Sequence, residues 1–505
     1  MGSLCSSNKH AESMLRPSLS VEIPQSNIIK QEKDIVISPR SFVKKNQAAF
    51  FSIYRLDNFP LGSGARGEVR ICTHIASKDK RVVKIISKST LPESLLGSES
   101  LSAEVNIMKE LDHPNLPRIY EFFEDTEKFY IVLEFCKGGD LFDKIVELHL
   151  FEESKAAEIM SQIFSGLNYL HSRGIVHRDI KPENVLLDKK DSLKLKIIDF
   201  DTATFFGREK FHEMYGTPMY MAPEVVKGKY NEKCDIWSCG IIMYILLCGG
   251  PPFDGTDDAI FKILKNVNIK LEGERWNKIS IEAKDLLSKL LVANPEKRIT
   301  ASEACKHKWI IEHAIKIPRE DITRVLDGIK TFKKTTKLKE AIHTFIISKL
   351  VDPNIFATES KVFDFLDENK DGGISRDELV DVLKNDNVHT EEAEMYADLI
   401  MEHVDSDKNG KIDYTEFLRA TVKRSKIFTK ENLQQAFNLF DQDGNGTIEL
   451  EELKKCLSEG SEITVEVLED IMNQADRNGD GKIDIGEFEA LLLENLSKQS
   501  SLETP

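Results

Sequence analysis

The chain has 505 residues and a formal net charge of −16, with 41 % hydrophobic and 30 % charged residues. This is the composition of a globular protein of about three domains, at about 150 residues each, and it excludes a fibre or a wholly disordered chain. The sequence has no apolar run near the ~20 residues that a membrane-spanning helix needs. Its eight cysteines include no CxxC pair, which argues against a zinc ribbon and indicates a reduced, intracellular protein.

The charge is distributed unevenly along the chain. Residues 351–505 contain 37 acidic and 16 basic residues, a net of −21, whereas residues 1–350 contain 48 acidic and 53 basic residues, a net of +5. The excess of negative charge therefore lies in the last third, which makes nucleic acid an unsuitable partner for that part.

Residues 1–50 are rich in Ser, Asn, Gln and Lys without an apolar period, and this composition predicts a disordered leader. The leader begins with a pattern for N-myristoylation at Gly2, and Cys5 is a second candidate for acylation, by palmitate. Because one acyl chain gives only marginal membrane binding, both are needed for a stable anchor. We therefore expect a cytoplasmic protein held at the cytosolic face of membranes.

Between residues 53 and 310, strand-like runs alternate with helical runs. Arg81–Ser87 and Phe129–Phe135 are predicted strands, and Lys155–Ser172 is a predicted helix. A glycine-rich turn comes first, with Gly62, Gly64 and Gly67 at GxGxxG spacing and Val69 shortly after. Glycine lets a backbone approach phosphates closely, but this spacing alone is weak evidence because dinucleotide-binding folds share it.

The motifs that follow decide between these alternatives. Lys84 ends a strand-like run, and Glu104 lies on a helical stretch where it can pair with that lysine. Further along come His177-Arg178-Asp179 with Lys181 and Asn184, then Asp199-Phe200-Asp201, then Ala222-Pro223-Glu224. In this order and at these spacings, the segment resembles a eukaryotic protein kinase over about 258 residues.

The resemblance implies a role for each motif residue. Asp179 orients the substrate hydroxyl and accepts its proton, Lys181 stabilises the transferring phosphoryl group, and Asn184 and Asp199 ligate Mg²⁺. Lys84, held by Glu104, contacts the nucleotide phosphates. The full set of predicted ATP-binding residues is Leu61, Gly62, Gly64, Gly67, Val69, Val82, Lys84, Glu104, the gatekeeper Leu133, and Glu134 and Cys136 of the hinge. His177 is expected to be structural.

Lys181 is typical of the serine/threonine-specific form of this loop. Asp140 and Glu183 match positions that bind an arginine of the substrate in basophilic kinases, although both are also compatible with ordinary solvated acids. Within the activation segment, Arg178 has two candidate partners. One is a phosphate on Thr202, Thr204 or Tyr215; the other, which we favour, is a built-in acid, Glu209 or Glu213.

Two residues depart from the family pattern. Asp201 replaces the glycine that follows Asp-Phe, and aspartate tolerates left-handed backbone angles better than most residues. Val82 replaces the usual alanine over adenine. Neither change removes a metal ligand or the base, so we expect an active enzyme.

Four acidic loops recur after residue 350, 38, 36 and 35 residues apart. Each supplies oxygen ligands at positions 1, 3, 5, 7, 9 and 12 with glycine at position 6, which is the Ca²⁺-binding pattern of an EF-hand. The predicted ligands are Asp367, Asn369, Asp371, Gly373, Ser375 and Glu378; Asp405, Asp407, Asn409, Lys411, Asp413 and Glu416; Asp441, Asp443, Asn445, Thr447, Glu449 and Glu452; and Asp476, Asn478, Asp480, Lys482, Asp484 and Glu487. Position 8 is isoleucine in every loop, as expected where paired loops meet. The first loop has three ligand carboxylates and the others four, so we expect its site to be the weakest.

The connector, residues 324–350, carries seven basic and two acidic residues. Its apolar residues fall largely on one helical face: Ile329, Phe332, Leu338, Ile342, Phe345, Ile346 and Leu350. A basic amphipathic helix suits a calmodulin-like groove; the alternative is a linker helix or one that caps the kinase.

A kinase, a junction and four EF-hands in this order resemble the calcium-dependent protein kinases of plants and protozoa. The predicted fold class is multidomain α+β, a bilobal kinase followed by an all-α calmodulin-like domain. The predicted organisation is a leader (1–50), the kinase (53–310), an autoinhibitory junction helix (311–350), the calcium module (351–498) and a tail (499–505).

The resemblance implies a Ca²⁺-activated serine/threonine kinase that uses ATP, Mg²⁺ and four Ca²⁺ ions on basic protein substrates, without external calmodulin. We also expect a monomer that does not bind nucleic acid. Its junction blocks the kinase until Ca²⁺ binds. The alternative is a catalytically impaired calcium sensor or scaffold, because of Asp201.

Overall fold

The computed structural model describes residues 37–43, 45–64, 67–90, 101–207, 209–313, 317–333, 335–385, 389–457 and 465–493. Gly2, Cys5 and the tail 499–505 lie outside these residues. Among the described helices, none combines the length and apolar character that crossing a membrane requires.

The first lobe is built on a five-stranded antiparallel sheet in the order β1-β2-β3-β5-β4. Its strands are β1 Tyr54–Gly64, β2 Gly67–His74, β3 Lys80–Ser87, β4 Ile119–Glu124 and β5 Lys128–Leu133. Alternate residues of β3, such as Val83 and Ile85, are buried on one face, as the period of a strand requires. Their neighbours Lys84 and Val82 therefore face the opposite side, and the helix Leu101–Lys109, the Glu104 helix, lies between β3 and β4 in the chain.

The second lobe is helical. Its helices are Leu141–Leu148, Glu153–Ser172, Pro223–Val226, Lys233–Cys248, Asp257–Lys265, Ile281–Leu290, Ala301–Cys305 and Lys308–Glu312. Two short ribbons, Ile175–Val176 with Thr204–Phe205 and Val185–Leu187 with Leu195–Ile197, carry the loops between them. The helix Lys233–Cys248 is buried along nearly its whole length, which its apolar sequence explains.

Short 3₁₀ turns connect these elements: Pro39–Phe42, Lys88–Thr90, Pro182–Asn184, Pro218–Tyr220, Trp276–Lys278, Pro295–Lys297 and Pro353–Phe356. A short helix, Phe50–Ile53, precedes β1.

The junction is two helices rather than the single helix expected from the sequence. Arg319–Thr331 ends where Phe332 adopts an extended backbone, and Lys337–Phe345 begins at Thr336, whose side chain accepts a hydrogen bond from the Lys339 N–H. A capping threonine of this kind starts a new helix. One π-helical turn, Ile346–Leu350, follows without a break.

The calcium module consists of helix–loop–helix units. Its helices are Ala357–Leu366, Arg376–Asn385, Thr390–Val404, Tyr414–Thr421, Arg424–Ile427, Lys430–Phe440, Leu450–Leu457, Val465–Ala475 and Ile485–Leu493. The loops meet in pairs through Gly373–Ser375 with Lys411–Asp413 and through Thr447–Ile448 with Ile483–Asp484, where the position-8 isoleucines face each other. One hydrophobic core joins this module to the junction residues Ile329, Leu338, Ile342 and Ile346. The mixed α+β, multidomain fold class is confirmed.

Part of the predicted disordered leader is packed. Ile37, Phe42, Val43 and Phe50 are buried, and the Phe42 ring lies 5.4 Å from the ring of Phe345 in the junction. Composition alone obscured this, because four apolar residues spread over 14 positions give no periodic pattern. The described residues before β1 therefore contact both the sheet and the junction.

Candidate active site and calcium loops

A buried lysine is the centre of the first lobe's polar site. Lys84 Nζ lies 2.9 Å from Glu104 Oε1 and 3.3 Å from Asp199 Oδ1, and it also contacts Asp201 Oδ1. Burial lowers the pKa of Lys84, but the three carboxylates outweigh it and raise that pKa above its ordinary value. The lysine is therefore a permanent cation, and it joins the sheet, the Glu104 helix and the second lobe's Asp199.

Asp201 contributes through its side chain and not through tolerance of left-handed backbone angles. The left-handed residue in this segment is Asp199, with φ 68°, and Asp201 is not left-handed. The site therefore does not need the conformational freedom that glycine would supply at Asp201. Instead, the substitution adds a third carboxylate to Lys84.

In the second lobe, Asp179 lies in a network of donors. Lys181 Nζ is 2.7 Å from Asp179 Oδ2, and Asn184 Nδ2 donates to the same oxygen at 3.2 Å. The backbone N–H and hydroxyl of Thr217 both donate to Asp179 Oδ1 at 3.1 Å. The lysine also donates to the Thr217 hydroxyl at 3.0 Å, so cation and carboxylate are held side by side.

Asp235 fixes the loop that carries Asp179, and sequence reasoning missed it. This fully buried carboxylate accepts hydrogen bonds from the backbone N–H groups of His177 and Arg178, at 3.0 and 2.8 Å, and lies 2.9 Å from His171 Nε2. Burial alone would raise its pKa, but these donors hold the pKa of Asp235 below its ordinary value. An aspartate in an otherwise apolar helix was the available signal. His177 is buried with Nε2 3.0 Å from the Ile198 carbonyl, a structural position.

Several residues predicted for ATP lie on neighbouring strands of the first lobe's sheet. Val82 pairs with Leu133 across β3 and β5, and Val69 pairs with Lys84 across β2 and β3. A Cβ on Gly67 would lie 2.1 Å from the Ile85 carbonyl oxygen, so a side chain does not fit there.

The remaining residues predicted to bind ATP differ in exposure and in their side-chain contacts. Leu61 is 56 % exposed at the open end of β1, with Gly62 and Gly64 beside it on that strand. Burial raises the pKa of the Cys136 thiol to about 12, which makes it inert at neutral pH. The Glu134 carboxylate lies 3.0 Å from Lys196 Nζ, and the Glu134 N–H donates to the Arg118 carbonyl at 3.0 Å, so this hinge residue has its own carbonyl left for a nucleotide.

The candidate specificity acids have different surroundings. Asp140 Oδ1 accepts a hydrogen bond from the Asp143 N–H at 2.8 Å and so caps a helix, whereas Glu183 is exposed. In the activation segment, the Arg178 guanidinium lies 4.6 Å from the Tyr215 ring centroid and donates to the Thr202 carbonyl. Arg178 also lowers the pKa of Glu213, although hydrogen bonds from backbone N–H groups contribute more. A built-in acid beside Arg178 remains a prediction.

The four calcium loops share one hydrogen-bonding scheme. The N–H of the position-6 glycine donates to the position-1 aspartate at 2.8–3.0 Å in every loop. The position-12 glutamate accepts from the position-9 N–H at 2.8–3.0 Å in every loop. These bonds fix the position-1 and position-12 carboxylates, which are two of the oxygen ligands in the EF-hand pattern. In the second and third loops, one oxygen from each of Asp405, Asp407 and Glu416, and from each of Asp441, Asp443 and Glu452, lies within 4.8 Å of the others.

The first pair of loops is more buried than the second, and burial changes its titration. Burial raises the pKa of Asp367 and Asp413 to about 7 and that of Glu416 to about 8, whereas backbone N–H donors lower the pKa of the half-buried Asp476. Carboxylates crowded in this way need a cation. In the first loop, Lys411 supplies one, since its ammonium contacts Asp371.

The first pair of loops lies directly on the helix Glu153–Ser172, which we name the Tyr169 helix. Asn168 Nδ2 donates to the carbonyls of Asn369 and Lys370, at 3.0 and 2.8 Å. A Cβ on Gly372, at position 6, would lie 2.0 Å from the Tyr169 ring. The ring and the loop backbone are therefore in tight contact.

Charged residues add further contacts between the kinase and the first pair of calcium loops. Arg173 donates to the Asp371 carbonyl at 3.4 Å and lies 3.7 Å from Asp413 Oδ1. Thr415 donates to Asp112 through its N–H and its hydroxyl, both at 2.9 Å. Asp413 is a predicted calcium ligand, so Arg173 contacts an ion site directly. Sequence reasoning had no signal for these long-range contacts.

Comparison with known proteins assigns both halves of the chain. The protein kinase domain family matches residues 57–310, and the EF-hand domain pair matches residues 360–422 and 430–493. Calcium-dependent protein kinase 5 of Plasmodium berghei is 40 % identical over 413 residues, covering 80 % of this chain and 72 % of that protein. The chain belongs to the calcium-dependent protein kinases.

Two other Plasmodium berghei calcium-dependent protein kinases are similar over most of their length. Calcium-dependent protein kinase 3 is 39 % identical, over 86 % of this chain and 78 % of that protein. Calcium-dependent protein kinase 4 is 38 % identical, over 84 % of this chain and 83 % of that protein. A kinase domain of this family uses ATP and Mg²⁺, and its EF-hands bind Ca²⁺. Asp199 and Asn184 offer the oxygens that Mg²⁺ prefers. Although burial acts to raise it, Lys84 and His177 hold the pKa of Asp199 below its ordinary value, which keeps that ligand charged.

Replacing Asp201 with glycine tests the third carboxylate in this kinase. Asp201 competes with nucleotide phosphates for Lys84, so Asp201→Gly should lower the KM for ATP about fivefold, the equivalent of an ion pair of about 1 kcal/mol, while kcat is retained. Steady-state kinetics with varied ATP measure both. Asp201→Asn, which removes only the charge, should shift KM in the same direction. A loss of kcat in both variants would show that the carboxylate is needed.

Proposed function

We propose that this chain is a Ca²⁺-activated kinase that transfers the γ-phosphate of ATP to serine or threonine of basic protein segments. The observation that carries this proposal is one arrangement of charges. Lys84, paired with Glu104, meets Asp199 across the two lobes, and Asp179 lies with Lys181 in the second lobe. Calcium loops contact the same domain through Arg173.

The residues divide the chemistry between them. Mg²⁺, held by Asp199 and Asn184, would neutralise phosphate charge. Lys84 orients the phosphates from the first lobe. Asp179 accepts the proton of the substrate hydroxyl, while Lys181 and Thr217 hold that carboxylate in position. Transfer of this kind depends on alignment and charge neutralisation more than on covalent chemistry.

We further propose that the junction inhibits the kinase without Ca²⁺ and that the described arrangement is the active one. Lys349 Nζ donates to the carbonyls of Ile119 and Tyr120 at the start of β4, and Arg118 donates to the Ile347 carbonyl at 2.9 Å. These contacts place the junction against the N-terminal lobe, while Lys84 and Glu104 are paired. A change from about 1 % to 99 % active requires ~5.5 kcal/mol of differential Ca²⁺ binding.

The first test is phosphate transfer to a basic serine peptide, in EGTA and in saturating Ca²⁺. We expect transfer only with Ca²⁺, and none from Asp179→Asn, which rules out a contaminating kinase. Peptides without basic residues, or with tyrosine in place of serine, should be poor substrates. Equal transfer in both conditions would contradict inhibition by the junction.

In the same assay, Arg173→Gln should raise the Ca²⁺ concentration for half-maximal activity about fivefold, because it removes contacts worth about 1 kcal/mol between the kinase and the first pair of loops. Maximal activity should be retained. Lys155→Gln, at an exposed position of the same helix, is the matched control and should leave the calcium response unchanged.

The scaffold alternative rests on Asp201 contacting Lys84. Calcium binding with no transfer under any condition, and transfer restored by Asp201→Gly, would favour that alternative.

We also propose that all four loops bind Ca²⁺ and that the first site is the weakest. It has the fewest ligand carboxylates, and Lys411 contacts one of them, Asp371. Calcium titration of four variants, each with its position-12 glutamate changed to glutamine, ranks the sites. We expect Glu378→Gln to remove the weakest of the four sites. Loss of the tightest site in that variant would reject the charge argument.

Membrane attachment through Gly2 and Cys5, in an otherwise cytoplasmic monomer that does not bind nucleic acid, is a further proposal supported by the N-terminal pattern alone. Incorporation of labelled myristate into the full chain, but not into Gly2→Ala, tests it. Equal label in both would exclude Gly2 as the acceptor.

A further inference from the structure

A cavity of about 320 Å³ lies where the kinase domain meets the end of the junction. One wall is formed by hinge residues 134–137 together with Asp188 and Lys194 of the kinase. Residues 349–354, which connect the junction to the calcium module, form the opposite wall. The space is therefore shared by two parts of the chain, and their described arrangement is the one proposed to be active.

The cavity lining has an excess of basic over acidic residues. Seven lysine or arginine residues line the cavity against four aspartate or glutamate residues. Lys196 has a carboxylate partner, since its Nζ lies 3.0 Å from Glu134. Lys194 and Lys349 have neutral partners instead. Lys194 Nζ is 3.5 Å from the Ser360 hydroxyl, and Lys349 Nζ donates to two backbone carbonyls.

The pKa values of Lys194 and Lys349 reflect this excess of positive charge and their burial. Burial and the nearby Lys196 lower the pKa of Lys194 to about 8 against the opposing charges of Glu134 and Asp188. Burial and Arg81 lower the pKa of Lys349 to about 7 against the opposing charge of Glu121, so in both cases the nearby carboxylates do not offset the cost of burial. Cations taken from water without a counter-ion are costly. An anion in the cavity would offset that cost.

One acceptor in the lining also lacks a donor. Asp188 Oδ1 is buried and has no hydrogen-bond partner among the described residues, whereas buried polar atoms are nearly always paired. A carboxylate oxygen in an otherwise basic cavity repels a fully deprotonated anion but accepts a hydrogen bond from one that keeps a proton or carries a hydroxyl. Hydrogen phosphate meets this requirement at neutral pH, and sulfate does not.

We propose that this cavity is a binding site for a small phosphate-bearing anion, whose charge Lys194 and Lys349 neutralise and whose hydroxyl donates to Asp188. The anion is either inorganic phosphate or a hydroxyl-bearing phosphate monoester. Because its ligands come from the kinase and from the junction, binding favours the docked arrangement. This consequence rests on the proposed function: at partial Ca²⁺ saturation, the anion raises kinase activity.

The binding test uses the full chain with the ATP site filled by a non-hydrolysable ATP analogue and Mg²⁺, at low micromolar free Ca²⁺. Thermal unfolding is followed while sodium phosphate, glycerol 3-phosphate or sodium sulfate is added at constant ionic strength. Phosphate should raise the unfolding midpoint saturably and more than sulfate does. A larger effect of glycerol 3-phosphate would identify a monoester as the occupant.

Three variants make this test specific. Lys194→Gln should weaken phosphate binding about tenfold, the equivalent of about 1.4 kcal/mol, and Lys190→Gln, an exposed lysine outside the lining, should leave it unchanged. Asp188→Asn replaces an acceptor with a side chain that also donates, so sulfate should then bind as well as phosphate. The proposal is overturned if phosphate does no more than sodium chloride, or acts equally on Lys194→Gln.

Kinase activity at half-activating Ca²⁺ is the second readout. Phosphate should increase it several-fold in the unmodified chain and in Lys190→Gln but not in Lys194→Gln. The binding readout needs no phosphoryl transfer. Absence of phosphate binding would therefore overturn the anion site and leave the kinase proposal intact. A chain that binds phosphate but transfers none would contradict the kinase proposal and leave the anion site intact.

Discussion

The contact between the first calcium loop and the Tyr169 helix is the interaction on which the rest of this arrangement depends. That helix is deeply buried in the second lobe, with every residue from Ile163 to Leu170 in or beside the core. Its last turn carries Asn168, Tyr169 and Arg173, which contact the loop backbone. A calcium loop therefore rests on a rigid support, so a change in the loop moves the module rather than the helix.

The junction completes this attachment on the other lobe. Lys349 and Arg118 connect it to the start of β4, while Thr415 binds Asp112 just before that strand. The calcium module thus contacts both lobes, and the distance between the lobes determines whether Lys84 reaches Asp199. Under the proposed calcium activation, these two attachments link the calcium module to the spacing of Lys84 and Asp199.

Much of this architecture was predictable because its signals are local. Ligand spacing located the calcium loops, and the order of motifs located Lys84, Asp179 and Asp199. What the sequence did not reveal was set by packing between distant segments. The break in the junction needed the Thr336 cap, Ile37–Phe50 needed a partner surface, and the side chain of Asp201 reached Lys84 only in the folded chain. Arg173 and Asp235 act on residues far away in the chain, so no periodicity marks them.

Gly372 illustrates how such a seam restricts sequence change. Its φ of +86° satisfies the turn of an EF-hand, and its missing side chain makes room for the Tyr169 ring. In the other three loops, the position-6 glycine has open space around it. An EF-hand transplanted from another protein would satisfy the coordination geometry of any of the four sites, but at the first site its outer surface must also fit the kinase. The first loop therefore carries a constraint, as an interface with the kinase, that the other three loops do not share at position 6.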